Sequence, residues 1–303
     1  MTEVPAPRAS DGEVVVEVRA AGVNPIDWKI YSGAFHTVDD DHKDAAGIAA
    51  SMPSIGLECA GVITEVGAEV TGVRVGDEVI VYPVTGAYAD YVTAPAASIV
   101  AKPAGLGWAE AGSLLLTGTT AVHALQVTGV GAGDTVLVHG GSGGVGLMGV
   151  QLAAAAGATV VATAAERNHA LLRELKAVPV AYGPGLADRV RAAAPRGVSA
   201  AVDFAGTDEA LDVSLELVAD RARIASITGS ARRASAGIRL LGYGPGQDAG
   251  TEVRNAARRD LVERAGSGAL RVIVEATFPL ADAAKAHEIG LAGHGPGKLV
   301  LLP

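Results

Sequence analysis

Two different hydrophobic patterns divide the chain. In the first third, short apolar runs alternate with polar positions and are separated by Gly, Pro and Asp, which predicts strands at Glu13–Val18, Cys59–Val66, Glu78–Tyr82 and Tyr88–Thr93. From about residue 109, helical and extended patterns alternate, with strands predicted at Thr135–Val138, Thr159–Thr163, Val178–Tyr182, Ala200–Phe204, Arg223–Ser226 and Ile238–Tyr243. This alternation predicts a parallel sheet flanked by helices, and so an α/β fold.

The end of the chain differs from the alternating region. Here the pattern predicts a helix, a strand, a helix and a strand, at Glu252–Ala265, Leu270–Val274, Leu280–Leu291 and Lys298–Leu302. We expect residues 255–303 to join residues 1–112 in one domain, and residues 113–254 to form a second. The segment Phe35–Ser51 is rich in Asp, His and Lys, and it fits either a solvated surface loop or a lid over a pocket.

A glycine cluster follows the first strand of the alternating region. Residues 136–146 read VLVHGGSGGVG, with glycines at 141, 143 and 146 and also at 140, 143 and 146. A strand at Asp134–His139, a helix at Gly143–Ala156 and a strand at Ala158–Thr163 frame it as a β-α-β unit, in which helix N–H groups bind a pyrophosphate. The predicted dinucleotide contacts are Gly140, Gly141, Ser142, Gly143, Gly144, Val145 and Gly146.

The second strand of that unit bears on which nicotinamide cofactor is bound. NAD-binding units carry an acidic residue there that holds the ribose 2′-hydroxyl, whereas this strand ends at Ala164. Arg167 and the downstream Tyr182 are candidates for contact with a 2′-phosphate. Alternatively, Arg167 is a surface charge that pairs with Glu166 at a helix start. We expect NADP(H) rather than NAD(H).

Composition excludes several classes of protein. The 303 residues are 49% hydrophobic and 19% charged, with a net charge of -9, which argues against a nucleic-acid surface. The single cysteine, Cys59, excludes intramolecular disulfides and a cysteine-rich zinc site and fits a reducing compartment. The sequence shows neither a membrane-spanning apolar run nor a signal peptide, so we expect a cytoplasmic protein.

Six segments in a fixed order resemble the medium-chain dehydrogenase/reductase superfamily, and within it the zinc-free quinone oxidoreductase branch. Besides the glycine cluster, they are AGVNPIDWK at 21–29, GLECAGVI at 56–63, VRVGDEV at 73–79, VDFAG at 202–206 and GKLVL at 297–301. The resemblance covers nearly the whole chain. It implies a Rossmann domain with a doubly wound parallel sheet, inserted into a partly open, GroES-like β-barrel catalytic domain, with the active site in the cleft between them.

The resemblance also implies that no zinc is bound. Zinc alcohol dehydrogenases of the superfamily have a Cys at the position of Asn24, a His at that of Leu57 and a second Cys near Leu116. A catalytic zinc needs about three protein ligands, and Glu58 alone does not hold one. Ile26 replaces the Ser or Thr that relays the alcohol proton, so simple alcohol oxidation is disfavoured.

The reaction implied is hydride transfer from NADPH to a quinone or to the β-carbon of an α,β-unsaturated carbonyl. By family position, Asn24 lies near the nicotinamide and the substrate. Lys29 either donates to a carbonyl or ribose oxygen or is a surface lysine. Thr120 contacts the nicotinamide side or caps the start of a helix. The expected cofactor contacts also include Phe204, Thr228 and Gly229.

Other polar residues are weaker candidates. We expect His123 and His139 to be packed or capping, and Cys59 to be a buried small apolar residue. Tyr31 and Tyr88 are candidates to line the cleft. Relatives begin with a further strand pair ahead of Pro5–Pro7, and its loss is expected to leave an unpaired edge or a more open cleft.

Two hypotheses about function and assembly remain to be tested. The rival to a reductase is a non-redox member of the family, either a binding protein or a cyclase-like enzyme, with vestigial cofactor binding. The glycine cluster favours the reductase, because such close backbone approach is needed only for phosphate binding. The apolar strand Ile238–Tyr243 is expected at the sheet edge, where two copies would pair as a homodimer.

Overall fold

The computed structural model describes residues 4–32 and 55–303. The strands are Glu13–Val23 (β1), Cys59–Val66 (β2), Glu78–Val81 (β3), Tyr91–Pro95 (β4), Ile99–Ala101 (β5), Thr135–His139 (β6), Thr159–Thr163 (β7), Ala177–Val180 (β8), Ala200–Asp203 (β9), Ile224–Ser226 (β10), Arg239–Leu240 (β11), Val274–Pro279 (β12) and Lys298–Leu302 (β13). The helices are Pro25–Tyr31 (α1), Trp108–Ala111 (α2), Leu115–Val127 (α3), Gly144–Ala155 (α4), His169–Glu174 (α5), Leu186–Ala193 (α6), Asp208–Leu217 (α7), Ala231–Ser235 (α8), Thr251–Gly266 (α9) and Ala283–Ala292 (α10). The predicted loop Phe35–Ser51 lies outside the described residues.

The chain forms two compact units. The first contains Met1–Leu116, Arg258–His294 and Lys298–Pro303, and the second contains Thr117–Ala257 and Gly295–Gly297. In the first unit, seven strands form one sheet in the order β12-β13-β1-β2-β3-β5, with β4 paired to β1. Register shifts between β1 and β2 mark bulges, which bend and twist the sheet. Alternate residues of β1 face the core of this unit, with Val14, Val16 and Val18 buried.

The second unit is a doubly wound parallel sheet. Its six strands lie in the order β11-β10-β9-β6-β7-β8, which is the order expected of a dinucleotide-binding fold. All five residues of β6 are buried, as befits a central parallel strand covered on both faces. The strand order reverses between β6 and β9, so ligands are expected at the carboxyl ends of those strands. The predicted α/β fold class is confirmed.

Several predicted strands have different ends in the structure; Tyr88–Thr93, for example, is observed as Tyr91–Pro95. Two further predictions depart in kind. The strand predicted at Leu270–Val274 is wrong, because α9 extends to Gly266 and the Leu270 N–H still donates to the Arg264 carbonyl oxygen at 3.0 Å. Leu270 is buried against the end of α9, which explains the apolar residue there, and β12 begins only at Val274. The strand predicted at Ile238–Tyr243 shortens to Arg239–Leu240, because Leu241 bridges to Asp248 and Gly242 has φ +149°.

No helix within the described ranges combines the length and apolarity needed to cross a lipid bilayer.

Candidate active site

The loop that joins β6 to α4 packs so closely that three of its positions require glycine. Gly140 has φ +71°, a left-handed conformation that disfavours other residues. A Cβ on Gly141 would lie 2.8 Å from the Ala162 Cβ, and a Cβ on Gly146 would lie 2.1 Å from the Gly140 carbonyl oxygen. The loop therefore folds back on β7 and on the first turn of its own helix, as a phosphate-binding turn does.

Gly143 is a different kind of glycine. Its φ is -75°, and a Cβ there would meet only the Gly140 oxygen, at an ordinary 3.5 Å. Gly143 is also exposed and offers no side-chain cap to α4. The N–H groups of Gly144, Val145 and Gly146 open the helix and have no acceptor within it. The rim of the loop thus presents N–H donors at a positive helix end, with open space where a side chain would stand.

A cavity of about 200 Å³ lies beside the glycine loop. It brings together four of the residues predicted to bind a cofactor: Gly140, Ser142, Ala164 and Tyr182. The other residues that line it, which the sequence reasoning did not assign to the site, are His139, Thr163, Leu186, Ala205, Thr207, Glu209 and Ala210. They follow the carboxyl ends of β6, β7, β8 and β9, where the topology of the sheet places a ligand.

Two polar side chains in the cavity wall are held by the fold. The Gly183 N–H donates to Glu209 Oε2 at 3.0 Å, which fixes the loop after β8. His139 is buried, and its Nδ1 lies 3.4 Å from Thr163 Oγ1. Burial lowers the pKa of His139 to about 4, so the ring is neutral at pH 7. His139 Nε2 has no hydrogen-bond partner among the described residues.

The two residues expected to contact a 2′-phosphate, Arg167 and Tyr182, are exposed. Ala164 follows β7 directly, where a carboxylate is absent; it is buried, and its N–H donates to the Val180 carbonyl oxygen at 3.0 Å. Tyr182 is 60% exposed and lines the cavity. Arg167 is exposed in the 3₁₀ segment Glu166–Asn168 but is not among the cavity-lining residues. The alternative that Arg167 pairs with Glu166 is not observed, since no ion pair joins them within the part of the chain the structure describes.

One buried carboxylate organises the carboxyl ends of β9 and β10. Asp203 Oδ1 accepts the N–H groups of Ala205 and Gly206, at 3.0 and 2.8 Å. Its Oδ2 accepts from Ser226 Oγ at 3.0 Å and from an Arg233 Nη2 at 3.1 Å, with both side chains of the ion pair buried. Removing one partner of the buried Asp203–Arg233 pair would be costly. Together with the Ser226 hydrogen bond, this pair holds the carboxyl ends of β9 and β10 in place.

Three further predicted contacts lie on these strand ends. The Phe204 backbone packs on the glycine loop, since a Cβ on Gly140 would lie 3.2 Å from the Phe204 carbonyl carbon. Thr228 approaches Gly206 so closely that a Cβ there would lie 2.7 Å from Thr228 Cγ2. Gly229 is covered by the side chain of Gln247, whose Nε2 would lie 2.1 Å from a Cβ at that position. The loop after β11 therefore rests on Gly229.

In the first unit, Asn24 belongs to a buried polar cluster. Asn24 Nδ2 donates to Glu58 Oε1 at 3.1 Å and to the Gly22 carbonyl oxygen at 3.2 Å. The Lys298 ammonium donates to Asn24 Oδ1, to the Val23 carbonyl oxygen at 2.8 Å and to Glu58 Oε1 at 3.3 Å. Asn24, Glu58 and Lys298 are each less than 5% exposed. Both ends of the Asn24 amide are thus engaged inside the unit.

Glu58 has a second partner. Its Oε2 accepts from the Leu116 N–H at 2.9 Å, in the first turn of α3, where a carboxylate is favoured by the helix dipole. Glu58 also approaches the chain closely, since a Cβ on Gly22 would lie 2.5 Å from its Oε1. The carboxylate therefore balances the Lys298 ammonium and caps a helix.

A second buried carboxylate lies one turn away in α1. Asp27 Oδ2 accepts from the Asn24 N–H at 2.9 Å and from the Tyr88 hydroxyl at 2.8 Å. The Tyr88 oxygen lies 3.2 Å from His287 Nε2. Burial raises the pKa of Asp27 to about 7, against the opposing effects of these hydrogen bonds. Burial also lowers the pKa of His287. The sequence reasoning named Tyr88 but missed Asp27 and His287.

In the second unit, Thr120 is held by an arginine. The Arg254 Nη1 donates to Thr120 Oγ1 at 2.8 Å, and both residues are buried. Thr120 is the sixth residue of α3, so the alternative that it caps a helix start is wrong. One turn further on, His123 is also buried, and its Nε2 lies 3.0 Å from Asp248 Oδ2.

The remaining candidates are placed as follows. Lys29 is half-buried on α1, and its ammonium makes no hydrogen bond or ion pair to any described residue. Cys59 is fully buried in β2, and burial raises the pKa of its thiol well above the usual range. Tyr31 ends α1.

Both units of the chain are similar to known proteins. A family model described as an alcohol dehydrogenase GroES-like domain matches residues 10–104, and one described as a zinc-binding dehydrogenase matches residues 175–301. The quinone oxidoreductase from Coxiella burnetii superimposes with a TM-score of 0.80 at 30% identity, covering 99% of this chain and 93% of that one. The chain belongs to the medium-chain dehydrogenase/reductase superfamily. Its resemblance to the quinone oxidoreductases runs through both units.

Other relatives of this quinone oxidoreductase-like chain differ in length. The Escherichia coli quinone oxidoreductase, whose structure was determined with NADPH, has a TM-score of 0.83 at 26% identity, covering 100% of this chain and 95% of that one. The phthioceranic/hydroxyphthioceranic acid synthase of Mycobacterium bovis is 36% identical over 166 residues, or 54% of this chain. The chain spans only 7% of the length of that synthase.

Sequence reasoning missed three charged residues of this quinone oxidoreductase-like chain. Lys298 opens the motif GKLVL, and Asp203 lies within VDFAG, so both were in segments already singled out. A charged residue that begins or ends an apolar strand was the available signal. Arg254 gave no such signal, because it is one of four arginines among the sixteen residues of α9, and only the fold shows that it is buried.

Proposed function

We propose that this chain is a zinc-independent, NADP(H)-dependent reductase that transfers hydride to a quinone or to an α,β-unsaturated carbonyl. The observation that carries the proposal is the glycine loop, in which Gly140, Gly141 and Gly146 are required by the backbone while Gly143 is left open toward solvent. A loop of this shape matches the space and the N–H donors that a pyrophosphate needs. The structure of the E. coli relative with NADPH supports the choice of cofactor.

The residues present fit such a cofactor. NADPH, when bound, supplies the hydride. The pyrophosphate would be held by the N–H groups of residues 144–146, and the adenosine end by the cavity that includes Ala164 and Tyr182. The Arg167 guanidinium, just after β7, makes no hydrogen bond or ion pair to any described residue, which supports a 2′-phosphate rather than a 2′-hydroxyl. The strand ends at Phe204 and Thr228 would orient the nicotinamide half.

The donor set does not fit zinc. By family position, zinc alcohol dehydrogenases have ligands at Asn24 and Leu57 and near Leu116, and none of these side chains binds zinc well. The described residues include no cluster of three His, Cys, Asp or Glu side chains that could hold a metal ion. The carboxylate at this place, Glu58, already balances the Lys298 ammonium. An acceptor that is electrophilic without a metal, such as a quinone or a conjugated carbonyl, is therefore the substrate class proposed.

The three residues proposed for the active site have different tasks. Asn24 is saturated with hydrogen bonds, so its task is to shape the wall of the site through its fixed position at the start of α1. Lys29 keeps an unpaired ammonium among the described residues and would donate a hydrogen bond to the acceptor oxygen. Thr120 offers a hydroxyl whose position is set by Arg254 and would contact the nicotinamide.

The central experiment uses the open position of the glycine loop. Gly143→Ala adds a methyl group that the folded loop accommodates but that would occupy the space of a bound phosphate. We expect the affinity for NADPH to fall by about tenfold or more, because one charge-assisted hydrogen bond is lost or lengthened. Gly131→Ala, where nothing lies within 4 Å and φ is not positive, is the matched control in the same unit.

Binding is measured by NADPH fluorescence and turnover by NADPH oxidation with 1,4-benzoquinone and with a simple enone. NADH serves as the comparison cofactor, and its preference over NADPH would reject the role of Arg167. Tight binding of NADPH with no oxidation by either acceptor would favour the non-redox alternative. Equal affinity in Gly143→Ala and wild type would remove the main support for the proposal.

We also propose a homodimer that pairs through the edge of the second unit. β11 lies at one end of the parallel sheet, and its outer side has no strand partner among the described strands. Edge strands of this kind are usually covered or blocked. Sedimentation at micromolar concentration should show a dimer, and a Leu240→Pro variant should be monomeric; a monomeric wild type contradicts this assembly.

A further inference from the structure

Arg254 carries a buried positive charge without a matching negative one. Its side chain lies in α9 and the residue is only 6% exposed. Nη1 donates to Thr120 Oγ1, whereas Nε is buried and has no hydrogen-bond partner among the described residues. Nη2 likewise makes no hydrogen bond there. No carboxylate of the described chain lies within ion-pair distance of this guanidinium, which is unusual because buried arginines are almost always paired.

The surroundings of Arg254 explain how the charge is tolerated but do not neutralise it. The guanidinium carbon lies 5.9 Å from the centre of the Tyr243 ring, a favourable cation–π distance. Asp248 is the nearby acid, but its carboxylate is bonded to His123 Nε2 and to the Gly250 N–H, at 3.0 and 2.9 Å. Asp248 is thus already committed, and the Nε and Nη2 edge of Arg254 has no acceptor among the described residues.

That edge has a definite shape. Nε and Nη2 of a guanidinium form two parallel N–H donors that match the two oxygens of a carboxylate, while Nη1 is free to bond elsewhere. Here Nη1 is the atom that fixes the guanidinium to Thr120. The group is therefore oriented in advance by the same residue that is proposed to contact the nicotinamide.

We propose that Arg254 binds a carboxylate of the substrate, so that the acceptor is an anionic conjugated carbonyl compound. This inference rests on the proposed function, because it places the anion beside the reacting end of the cofactor. The cofactor itself does not supply the anion, since its charged groups are phosphates and these are assigned to the N–H groups of residues 144–146 and to Arg167. A neutral acceptor would leave the guanidinium unpaired in the bound state, at a cost in affinity.

The test compares two acceptors that differ by one charge. The substrates are 4-oxopent-2-enoate and its methyl ester, both conjugated ketones, and NADPH oxidation gives kcat/KM for each. The ester is the stronger electrophile, so a preference for the acid reports binding rather than reactivity. In the wild type we expect the acid to be preferred by about tenfold or more, as one charge-assisted bidentate pair allows.

Three variants separate the role of Arg254 from folding. Arg254→Gln should lose the preference for the acid, and Arg254→Lys, which keeps a charge without the planar fork, should retain a small part of it. Arg259→Gln removes an exposed arginine of the same helix and should leave the acid-to-ester ratio unchanged. If Arg254→Gln does not fold, the ratio in Arg254→Lys decides. An unchanged ratio in a folded Arg254 variant overturns the inference.

A binding measurement distinguishes failure of this inference from failure of the proposed reaction. Thermal unfolding is followed with and without 4-oxopentanoate, the saturated product. A rise in Tm in the wild type that is absent in Arg254→Gln supports the anion site even if no acceptor is reduced, in which case the proposed reaction is what fails. No rise in the wild type, together with equal turnover of acid and ester, overturns the inference alone.

Discussion

Removal of the Lys298 ammonium should destabilise the first unit, because this charge is buried beside Glu58. In Lys298→Met, the apolar stem is retained while three hydrogen bonds are lost, to Val23, Asn24 and Glu58. Glu58 is 1% exposed, so its carboxylate would stay buried without its counter-charge. Breaking a buried pair from one side costs about 3–5 kcal/mol.

The geometry of Glu58 places the expected cost at the lower end of that range. After the substitution, its oxygens would still accept from Asn24 Nδ2 at 3.1 Å and from the Leu116 N–H at 2.9 Å. These donors hold part of the negative charge. We therefore expect a loss of about 3 kcal/mol in the free energy of unfolding.

Tryptophan fluorescence during urea unfolding is a suitable assay, because both tryptophans, Trp28 and Trp108, belong to the first unit. The double variant Glu58→Gln/Lys298→Met should recover part of the loss, since no charge is then left unpaired. Lys285→Met, an exposed lysine of the same unit, is the control. A loss below about 1 kcal/mol, or strict additivity in the double variant, would refute the reasoning.

Three further outcomes can be measured. Because burial raises the pKa of Asp27 to about 7, the folded protein retains a proton that the unfolded chain releases, and the free energy of unfolding falls as pH rises from 4 to 7. The free energy of unfolding of Asp27→Asn, measured by urea titration, should therefore rise by about 2–3 kcal/mol relative to that of the wild type between pH 5 and pH 8. A difference that stays constant with pH would contradict this. Cys59 should resist an aromatic disulfide reagent at pH 8 until the protein is unfolded, because burial raises its thiol pKa; rapid reaction in the native state would show that this strand opens. Gly146→Ala should lower the free energy of unfolding by about 1–3 kcal/mol and weaken NADPH binding, whereas Gly131→Ala should not; equal stability would mean that the loop relaxes freely.

Local patterns in the sequence predicted most strands of the sheets. Cys59–Val66, Thr159–Thr163 and Lys298–Leu302 begin and end in the structure at the predicted residues. In these segments the apolar residues form uninterrupted or alternating runs, and the flanking Gly, Pro or charged residues end them. The strand predicted at Leu270–Val274 failed because a helix-end contact has the same short apolar signature.

The polar clusters were beyond local reasoning. Lys298 meets Glu58 across 240 positions of sequence, and Asp27 meets Tyr88 across 61. Neither spacing leaves a trace in the pattern of neighbouring residues. Only the pairing of β13 with β1, fixed by Val23↔Leu299 and Gly22↔Val300, brings the lysine to the start of α1. Chemistry that depends on such distant pairs requires the fold before it can be recognised.

The glycine loop depends on a segment that is distant in sequence. The Gly297 N–H donates to the Ser142 carbonyl oxygen at 3.1 Å, and Gly143 bridges to Gly297 as a parallel strand would. Dissecting the second unit as a continuous fragment, residues 117–257, would sever this tie and strip the loop of one backbone partner. A cofactor-binding fragment would need residues 295–297 grafted onto it, and titrations with a fragment that lacks them would understate the affinity of the whole protein.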